Sequence, residues 1–269
     1  MTRQVDRIGP APHVAVEHTG QGELVIFMHG IGGNRRNWYE QLDAFASDFR
    51  AAAWDARGYG DSDDYEGPLN FADYANDLVR VLDHFGAARA HVIGLSMGGR
   101  IAMDFASRFH GRLLTLTLCD THKGFAGFSD EKKKAFIASR KEPLVNGKEP
   151  KDIAEPVART LVGPKASKEA FQALVDSMSR LHKESYIKSI EASIMMDVRN
   201  DLGAIRVPTH VVVGNDDTLT TVAMAREIAA DIRGAELSVI PDAGHLANIE
   251  NPAAFNAAVL GFLRRHRGR

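Results

Sequence analysis

The sequence contains very little cysteine: Cys119 is the only one among 269 residues. A single cysteine excludes an intramolecular disulfide framework. Because Cys119 ends the apolar run 113–119, we expect a buried strand residue there rather than a nucleophile. The H-E-x-x-H pattern and paired cysteine–histidine spacings are also missing. The sequence therefore predicts no metal site and no cofactor.

An excess of charge of either sign is absent as well. The chain has 33 Lys and Arg against 35 Asp and Glu, a formal net charge of −2. Proteins that bind nucleic acid need a basic surface that displaces counterions, so no nucleic-acid partner is expected. The basic segment 264–269 ends a helical pattern and is typical of a solvated helix C-terminus.

Long hydrophobic runs are the third absence. No stretch approaches the ~20 apolar residues that span a bilayer, and residues 1–20 hold no apolar core of signal-peptide length. We therefore expect a cytoplasmic protein with no membrane partner. Whether the protein forms a homo-oligomer stays open at this point.

Short apolar runs alternate with helical patterns from about residue 24 onward. Runs without polar alternation are typical of strands covered on both faces of a mainly parallel sheet. They occupy residues 24–28, 51–54, 91–95, 113–119, 209–213 and 237–240, with helices expected at 71–85, 98–109, 222–233 and 252–265. This alternation predicts an α/β fold with a doubly wound sheet.

The segment 122–200 interrupts that alternation. It contains helical stretches at 131–141, 151–162, 168–181 and 184–196, with Pro143, Gly147, Pro150, Gly163 and Pro164 as the expected breakers. We interpret it as an all-helical cap inserted into a core formed by residues 1–121 and 201–269. Ligands of open α/β sheets bind at the carboxyl ends of the strands, so we expect the substrate pocket between core and cap.

The most informative local motif is Gly94-Leu95-Ser96-Met97-Gly98-Gly99. It follows a predicted strand directly and begins a predicted helix. A serine at such a tight turn is held in a strained backbone conformation, and only small residues fit two positions before and after it. The helix N-terminus favours developing negative charge. We predict that Ser96 is a nucleophile.

A glycine-rich stretch, 28–34, ends an earlier predicted strand. Acyl transfer requires two preorganised donors for the oxyanion. Our candidates are the backbone N–H groups of Met97 and Ile31, with Gly32 as the alternative to Ile31. No phosphate-binding pattern G-x-x-x-x-G-K-[ST] is present, and we expect His29 to be a structural hydrogen-bonding residue.

His245 lies in the loop between the last predicted strand and the last helix, which would bring its imidazole to the edge of the sheet where Ser96 lies. An acid that orients this base must also be near. Asp217 follows the penultimate strand and gives the chain order Ser, Asp, His. Its neighbour Asp216, and Asp120 at the end of another strand, stay open as alternatives.

Taken together, these motifs resemble the α/β-hydrolase superfamily over about residues 20–121 and 201–269. The matching stretches are 29–34, 55–62, 94–99, 214–217 and 243–245. The family's acid motif G-x-x-D-x-x-x-P implies Asp217 rather than Asp216, although Thr221 stands where the family has proline. Stretches 94–99, 118–121 and 244–252 are most similar to the 3-oxoadipate enol-lactonase-like group. This likeness implies a Ser-His-Asp hydrolase of a small ester or lactone.

Two other functions stay open. Carbon–carbon bond hydrolases of meta-cleavage products resemble this chain but carry Asn before the nucleophile and Trp after the base, where this chain has Leu95 and Leu246. A ligand receptor with slow turnover on the same fold is the other possibility. Haloalkane dehalogenases and epoxide hydrolases use an aspartate nucleophile, and Ser96 excludes both.

Substrate specificity depends on the cap, where sequence patterns are least informative. The side chains that we expect to contact substrate are His122, Phe125, Phe128, Arg140, Met178 and Leu246. Arg140, Arg180 and Lys183 could anchor a substrate carboxylate, although the nearby lysines 132–134 indicate that this segment also carries solvated charge.

Overall fold

A computed structural model of the chain describes residues 2–125, 129–195 and 201–268. Its central feature is one eight-stranded sheet with the strand order β1-β2-β4-β3-β5-β6-β7-β8. The strands are β1 Gln4–Ile8, β2 Val14–Thr19, β3 Leu24–Met28, β4 Arg50–Asp55, β5 Ala90–Leu95, β6 Leu113–Cys119, β7 Thr209–Gly214 and β8 Glu236–Ile240.

Strands β3 to β8 pair in parallel, whereas β2 pairs antiparallel with both β1 and β4. The prediction of a mainly parallel, doubly wound sheet is confirmed. Strands β1 and β2 were not predicted from the sequence because polar residues interrupt both. β1 is an edge strand with mostly solvated side chains, and β2 buries Glu17 against the guanidinium of Arg35 at 3.1 Å.

Ten α-helices are present in the described residues: α1 Tyr39–Phe45, α2 Phe71–His84, α3 Met97–Arg108, α4 Asp130–Val145, α5 Pro150–Arg159, α6 Lys168–Ser179, α7 Lys183–Met195, α8 Val222–Asp231, α9 Ala247–Glu250 and α10 Pro252–Arg265. Helix α2 shows how local sequence sets their ends. The Asn70 side chain accepts the Ala72 N–H, and the Asp73 carboxylate accepts the Asn70 N–H. Gly86, at φ +64°, follows its last turn.

Helices α4 to α7 lie between β6 and β7. One expected breaker proved wrong: Pro143 lies inside α4, which continues to Val145. A proline this close to a helix end interrupts only the final turn, and Gly147 at φ +97° follows instead as the stop. Pro150 is the first residue of α5, where its missing N–H costs nothing.

The sheet is buried on both faces by large apolar side chains. Trp38, Phe45, Trp54, Phe105 and Phe255 are all fully enclosed. Burying a side chain of this size contributes about 1.5–3 kcal/mol to folding, so the packed core holds the carboxyl ends of the strands in place. None of the described helices is long and apolar enough to cross a membrane.

Candidate active site

Ser96 occupies the sharp turn between β5 and α3. Its backbone has φ +54° and ψ −113°, a conformation that costs a non-glycine residue about 1–3 kcal/mol. Neighbouring groups hold it: the Ser96 N–H donates to the Cys119 carbonyl at 2.9 Å, and the Thr121 hydroxyl donates to the Ser96 carbonyl at 2.8 Å. The strained conformation is thus held by hydrogen bonds to the end of β6 and to the loop that follows it.

The glycines around Ser96 are required by close backbone contacts. A Cβ atom at Gly94 would lie 2.2 Å from the carbonyl oxygen of Gly98. A Cβ atom at Gly98 would lie 2.3 Å from the carbonyl oxygen of Met28. Any side chain at either position therefore forces the backbone apart, which confirms the prediction that only small residues fit two positions before and after the serine.

His245 lies in the loop between β8 and α9, with its imidazole next to the serine. Its Nε2 atom is 2.9 Å from Ser96 Oγ, although the two residues are 149 positions apart in the chain. The His245 backbone N–H donates to the carbonyl of Leu161, beyond the end of α5, at 2.9 Å. The side chain is buried. The structure thus brings the predicted base within hydrogen-bonding distance of the predicted nucleophile.

Asp217 lies on the other side of the imidazole. Its Oδ2 atom is 2.9 Å from His245 Nδ1. Its Oδ1 atom accepts the backbone N–H groups of Leu219 and Thr220 at 2.8 and 2.9 Å. These bonds fix the carboxylate, so Nδ1 carries the proton and Nε2 is left to accept from Ser96.

Thr220 is a participant that the sequence analysis missed. Its hydroxyl donates to Asp217 Oδ2 at 2.6 Å and lies 3.1 Å from His245 Nδ1. Thr221, the residue that replaces the family's proline, caps α8 by accepting the Met224 N–H. The only sequence signal for Thr220 is a hydroxyl three positions after the acid, which is too common to identify a role.

His245 and Asp217 each shift the pKa of the other. Burial alone would lower the pKa of His245, but the hydrogen bond to Asp217 and its charge outweigh burial and raise it above its ordinary value of 6.5. Burial alone would raise the pKa of Asp217, but the hydrogen bonds from His245 and Thr220 lower it on balance. The acid therefore stays ionised where the imidazole titrates.

Asp120 and Asp216, the alternative acids, do not contact the imidazole. The Asp120 carboxylate accepts the backbone N–H groups of Gly214 and Ala247 at 2.8 and 3.2 Å. It thereby ties together the two loops that carry Asp217 and His245. Burial, followed by the charge of Asp217, raises the pKa of Asp120. The Asp216 carboxylate accepts a hydrogen bond from the Asn215 amide at 3.4 Å, and the Asp216 N–H donates to the Ala243 carbonyl at 2.8 Å.

Ile31 and Met97 both line the cavity at Ser96. Within the described residues, no hydrogen bond engages the Ile31 N–H, and Met97 begins α3, where a backbone N–H has no acceptor in the helix. Both donors are available to an oxyanion. Gly32, the alternative, is not part of the lining and lies at φ +87° beside Met178.

His29 uses both of its ring nitrogens in hydrogen bonds to backbone groups, one of them in the glycine-rich loop. Its Nδ1 donates to the Gly30 carbonyl at 2.8 Å, and its Nε2 accepts the Ala56 N–H at 3.0 Å. Burial lowers the pKa of His29, which keeps the ring neutral. The structural role predicted for His29 is confirmed.

Helix α6 is joined to the same loop through Ser177. The Asn34 amide donates to Ser177 Oγ at 2.8 Å, and the Ser177 hydroxyl donates to Asn37 Oδ1 at 3.0 Å. Asn37 Oδ1 also accepts the Asn34 N–H at 2.8 Å. The loop that carries Ile31 is therefore positioned partly by the segment between β6 and β7.

A cavity of about 350 Å³ lies between the carboxyl edge of the sheet and helices α4 to α7. Five of the residues predicted to contact substrate are among its lining: His122, Phe125, Arg140, Met178 and Leu246. The sixth, Phe128, lies outside the described residues. Arg180 and Lys183 are not in the lining, and Lys183 pairs instead with Glu149 at 3.0 Å. Most of the other wall residues are apolar, which suits a small organic substrate.

The chain matches one protein family and is similar to many known proteins. The family described as the alpha/beta hydrolase fold matches residues 23–252. The chain is 28% identical to 3-oxoadipate enol-lactonase 2 of Acinetobacter baylyi over 262 residues, 95% of each chain. It is 31% identical to a 2-hydroxy-6-oxononadienedioate/2-hydroxy-6-oxononatrienedioate hydrolase of Burkholderia vietnamiensis, over 96% of this chain and 93% of that protein.

Among solved structures, a thermophilic esterase from Thermogutta terrifontis superimposes with a TM-score of 0.88 and 29% sequence identity, covering 99% of both chains. The similarities extend along nearly the whole chain. They confirm the resemblance to α/β hydrolases and to the enol-lactonase-like group that the sequence motifs indicated.

Proposed function

The chain belongs to the α/β-hydrolase family and is a hydrolase, and we propose that it cleaves small carboxylic esters or lactones through an acyl-enzyme on Ser96. One observation carries the proposal. Hydrogen bonds of 2.9 Å join Ser96 Oγ to His245 Nε2, and His245 Nδ1 to Asp217 Oδ2, in a continuous line. A hydroxyl, a base and an orienting acid in this order can activate a nucleophile without a metal.

The proposed reaction has two halves. His245 takes the proton of Ser96 as Oγ attacks the substrate carbonyl, and the N–H groups of Ile31 and Met97 stabilise the oxyanion. His245 then protonates the leaving alcohol, or the ring oxygen of a lactone. A water molecule deprotonated by His245 hydrolyses the acyl-enzyme and restores Ser96.

The relatives support this reaction class without naming this chain's substrate. One is named an enol-lactonase and another an esterase. The relative whose named substrate is a nonadienedioate makes carbon–carbon bond cleavage the second candidate. Leu95 and Leu246 both line the cavity beside Ser96, so the two positions that distinguish that class are apolar here.

An ester, lactone and dienoate panel tests the proposal. We expect p-nitrophenyl acetate and butyrate, or a small lactone, to be turned over, with a burst of p-nitrophenolate if deacylation is slow. A 2-hydroxy-6-oxo-dienoate should react at least about 100-fold more slowly. Turnover of the dienoate alone would identify a carbon–carbon bond hydrolase, and no turnover of any compound would support a receptor.

The pH dependence of kcat/KM follows from the raised pKa of His245. The base acts only when neutral, so activity should be low in acid, rise through an inflection above 6.5 and reach a plateau in mild alkali. Asp217→Asn removes the negative charge that raises this pKa, so the inflection of the residual activity should move to lower pH. A profile that is flat from acid to alkali, or an unchanged inflection in Asp217→Asn, contradicts the assignment of His245.

A further inference from the structure

Arg140 is a cation in the wall of the cavity, and no carboxylate of the described residues pairs with it. It is partly buried on α4, its guanidinium carbon lies 3.8 Å from the centre of the Phe136 ring, and Nη1 donates to Ser139 Oγ at 3.1 Å. In the described part of the chain, no Asp or Glu pairs with it. Burial lowers the pKa of Arg140, and only Tyr186 opposes that shift. A guanidinium desolvated without a counter-charge is unfavourable unless a ligand supplies one.

Tyr186 supplies a neutral hydrogen-bond donor near Arg140. It is on α7, which packs against α4, and it is 1% exposed. No hydrogen bond joins its hydroxyl to another residue that the structure describes, so the hydroxyl is available to a ligand in the cavity that Tyr186 lines. Burial raises the pKa of Tyr186 to about 12, so the group remains a donor. Both Tyr186 and Arg140 line the cavity that contains Ser96.

Acidic side chains are missing from the described wall of the cavity. No Asp or Glu is present among the described residues that line it, whereas Arg140 and Arg100 both are. Arg100 donates to the Ser193 carbonyl and lies near the rings of Phe71 and Phe125. Arg140 is thus the cation whose guanidinium meets no acidic side chain of the described wall, and in a mostly apolar cavity it favours a ligand with a negative charge.

We propose that the substrate carries a carboxylate, which binds to Arg140 and Tyr186 while its ester or lactone carbonyl lies at Ser96. The proposal rests on the hydrolase function proposed above. A guanidinium can donate two parallel N–H bonds to a carboxylate, and the phenol hydroxyl can donate a third. One cation and one neutral donor match a monoanion. The ring of Phe136 would contact the carbons between the carboxylate and the scissile bond.

Two matched pairs of esters test this assignment. Mono-p-nitrophenyl glutarate and p-nitrophenyl pentanoate have acyl chains of equal length and differ in the terminal carboxylate. In 4-acetoxybenzoate the carboxylate is on the leaving group instead, and methyl 4-acetoxybenzoate is the matched compound without the charge. In at least one pair, the wild type should prefer the anion by about tenfold or more in kcat/KM. Arg140→Met should lower that preference about 30-fold, mainly through KM, and Tyr186→Phe about fivefold.

The matched controls are Arg140→Lys and Arg180→Met. Arg140→Lys keeps the charge and should restore part of the preference. Arg180 is an exposed arginine outside the cavity lining, so Arg180→Met should leave the preference unchanged. If Arg140→Met changes neither pair's ratio while both members are hydrolysed, the carboxylate site is wrong although the hydrolase function stands.

A binding measurement separates failure of this inference from failure of the proposed function. If the wild type hydrolyses none of the four esters, calorimetry with glutarate still examines the site. We expect glutarate to bind at least about tenfold more tightly to the wild type than to Arg140→Met. Equal or undetectable binding by both proteins overturns the inference whatever the enzymatic result.

Discussion

Replacing Ser96 with alanine is expected to lower kcat/KM for a p-nitrophenyl ester by about 10,000-fold, with the fold intact. The hydroxyl at this position is the group that His245 Nε2 contacts at 2.9 Å, and alanine offers no nucleophile. The backbone at Ser96 is held by its own N–H and carbonyl rather than by its side chain. Circular dichroism and the melting temperature should therefore be close to those of the wild type.

A serine outside the cavity supplies the control for this variant. Ser179 ends α6, and its hydroxyl donates to the Val175 carbonyl at 2.8 Å. Ser179→Ala should retain activity within about threefold, because surface helix substitutions change little. If Ser96→Ala retained more than a tenth of wild-type activity, an acyl-enzyme at this position would be untenable.

The second large effect is expected at Asp217. Asp217→Ala should lower kcat about 1,000-fold, because the imidazole loses the acceptor that fixes its tautomer and stabilises its charged form. The bonds from Leu219 and Thr220 to the same carboxylate would also be lost. Steady-state kinetics at a pH on the alkaline plateau measure the effect without interference from the shifted His245 titration.

Asp120 and Asp216 provide matched carboxylates for comparison. Asp216→Ala should change kcat by less than about threefold, since Asp216 contacts neither the base nor a buried donor. Asp120→Ala removes the acceptor of two buried N–H groups, which should cost about 2–3 kcal/mol of folding free energy but less than about 30-fold in kcat. A larger loss of kcat for Asp120→Ala than for Asp217→Ala would transfer the acid role to Asp120.

Much of the fold could be predicted because its strands are apolar throughout. The runs at β3 and β6 have the predicted bounds, since parallel strands covered on both faces admit few polar residues. The two N-terminal strands could not be found this way. Glu17 is tolerated in β2 because Arg35 pairs with it at 3.1 Å and the Tyr39 hydroxyl donates to it at 3.2 Å. Both partners are remote in sequence, so no local pattern reveals them.

Some residues of the site could likewise be predicted from the sequence, and others could not. Gly94, Ser96 and Gly98 could be identified because one turn requires all three at fixed spacing. Thr220 could not, since its role depends on where Asp217 and His245 meet in space. The cavity wall was the least predictable part: of the three cations considered as carboxylate anchors, only Arg140 lines it. Helix packing, rather than the sequence pattern of the helix, decides which face of helices α4 to α7 is turned to the cavity.

The most direct test of Ser96 as the nucleophile is the site of covalent labelling by a fluorophosphonate, mapped by peptide mass spectrometry. A fluorophosphonate reacts with a serine that a neighbouring base activates. We expect one adduct per chain, on the peptide containing Ser96, and strongly slowed labelling in His245→Gln. An adduct on another residue, or labelling of Ser96 at an unchanged rate without the imidazole, would contradict it.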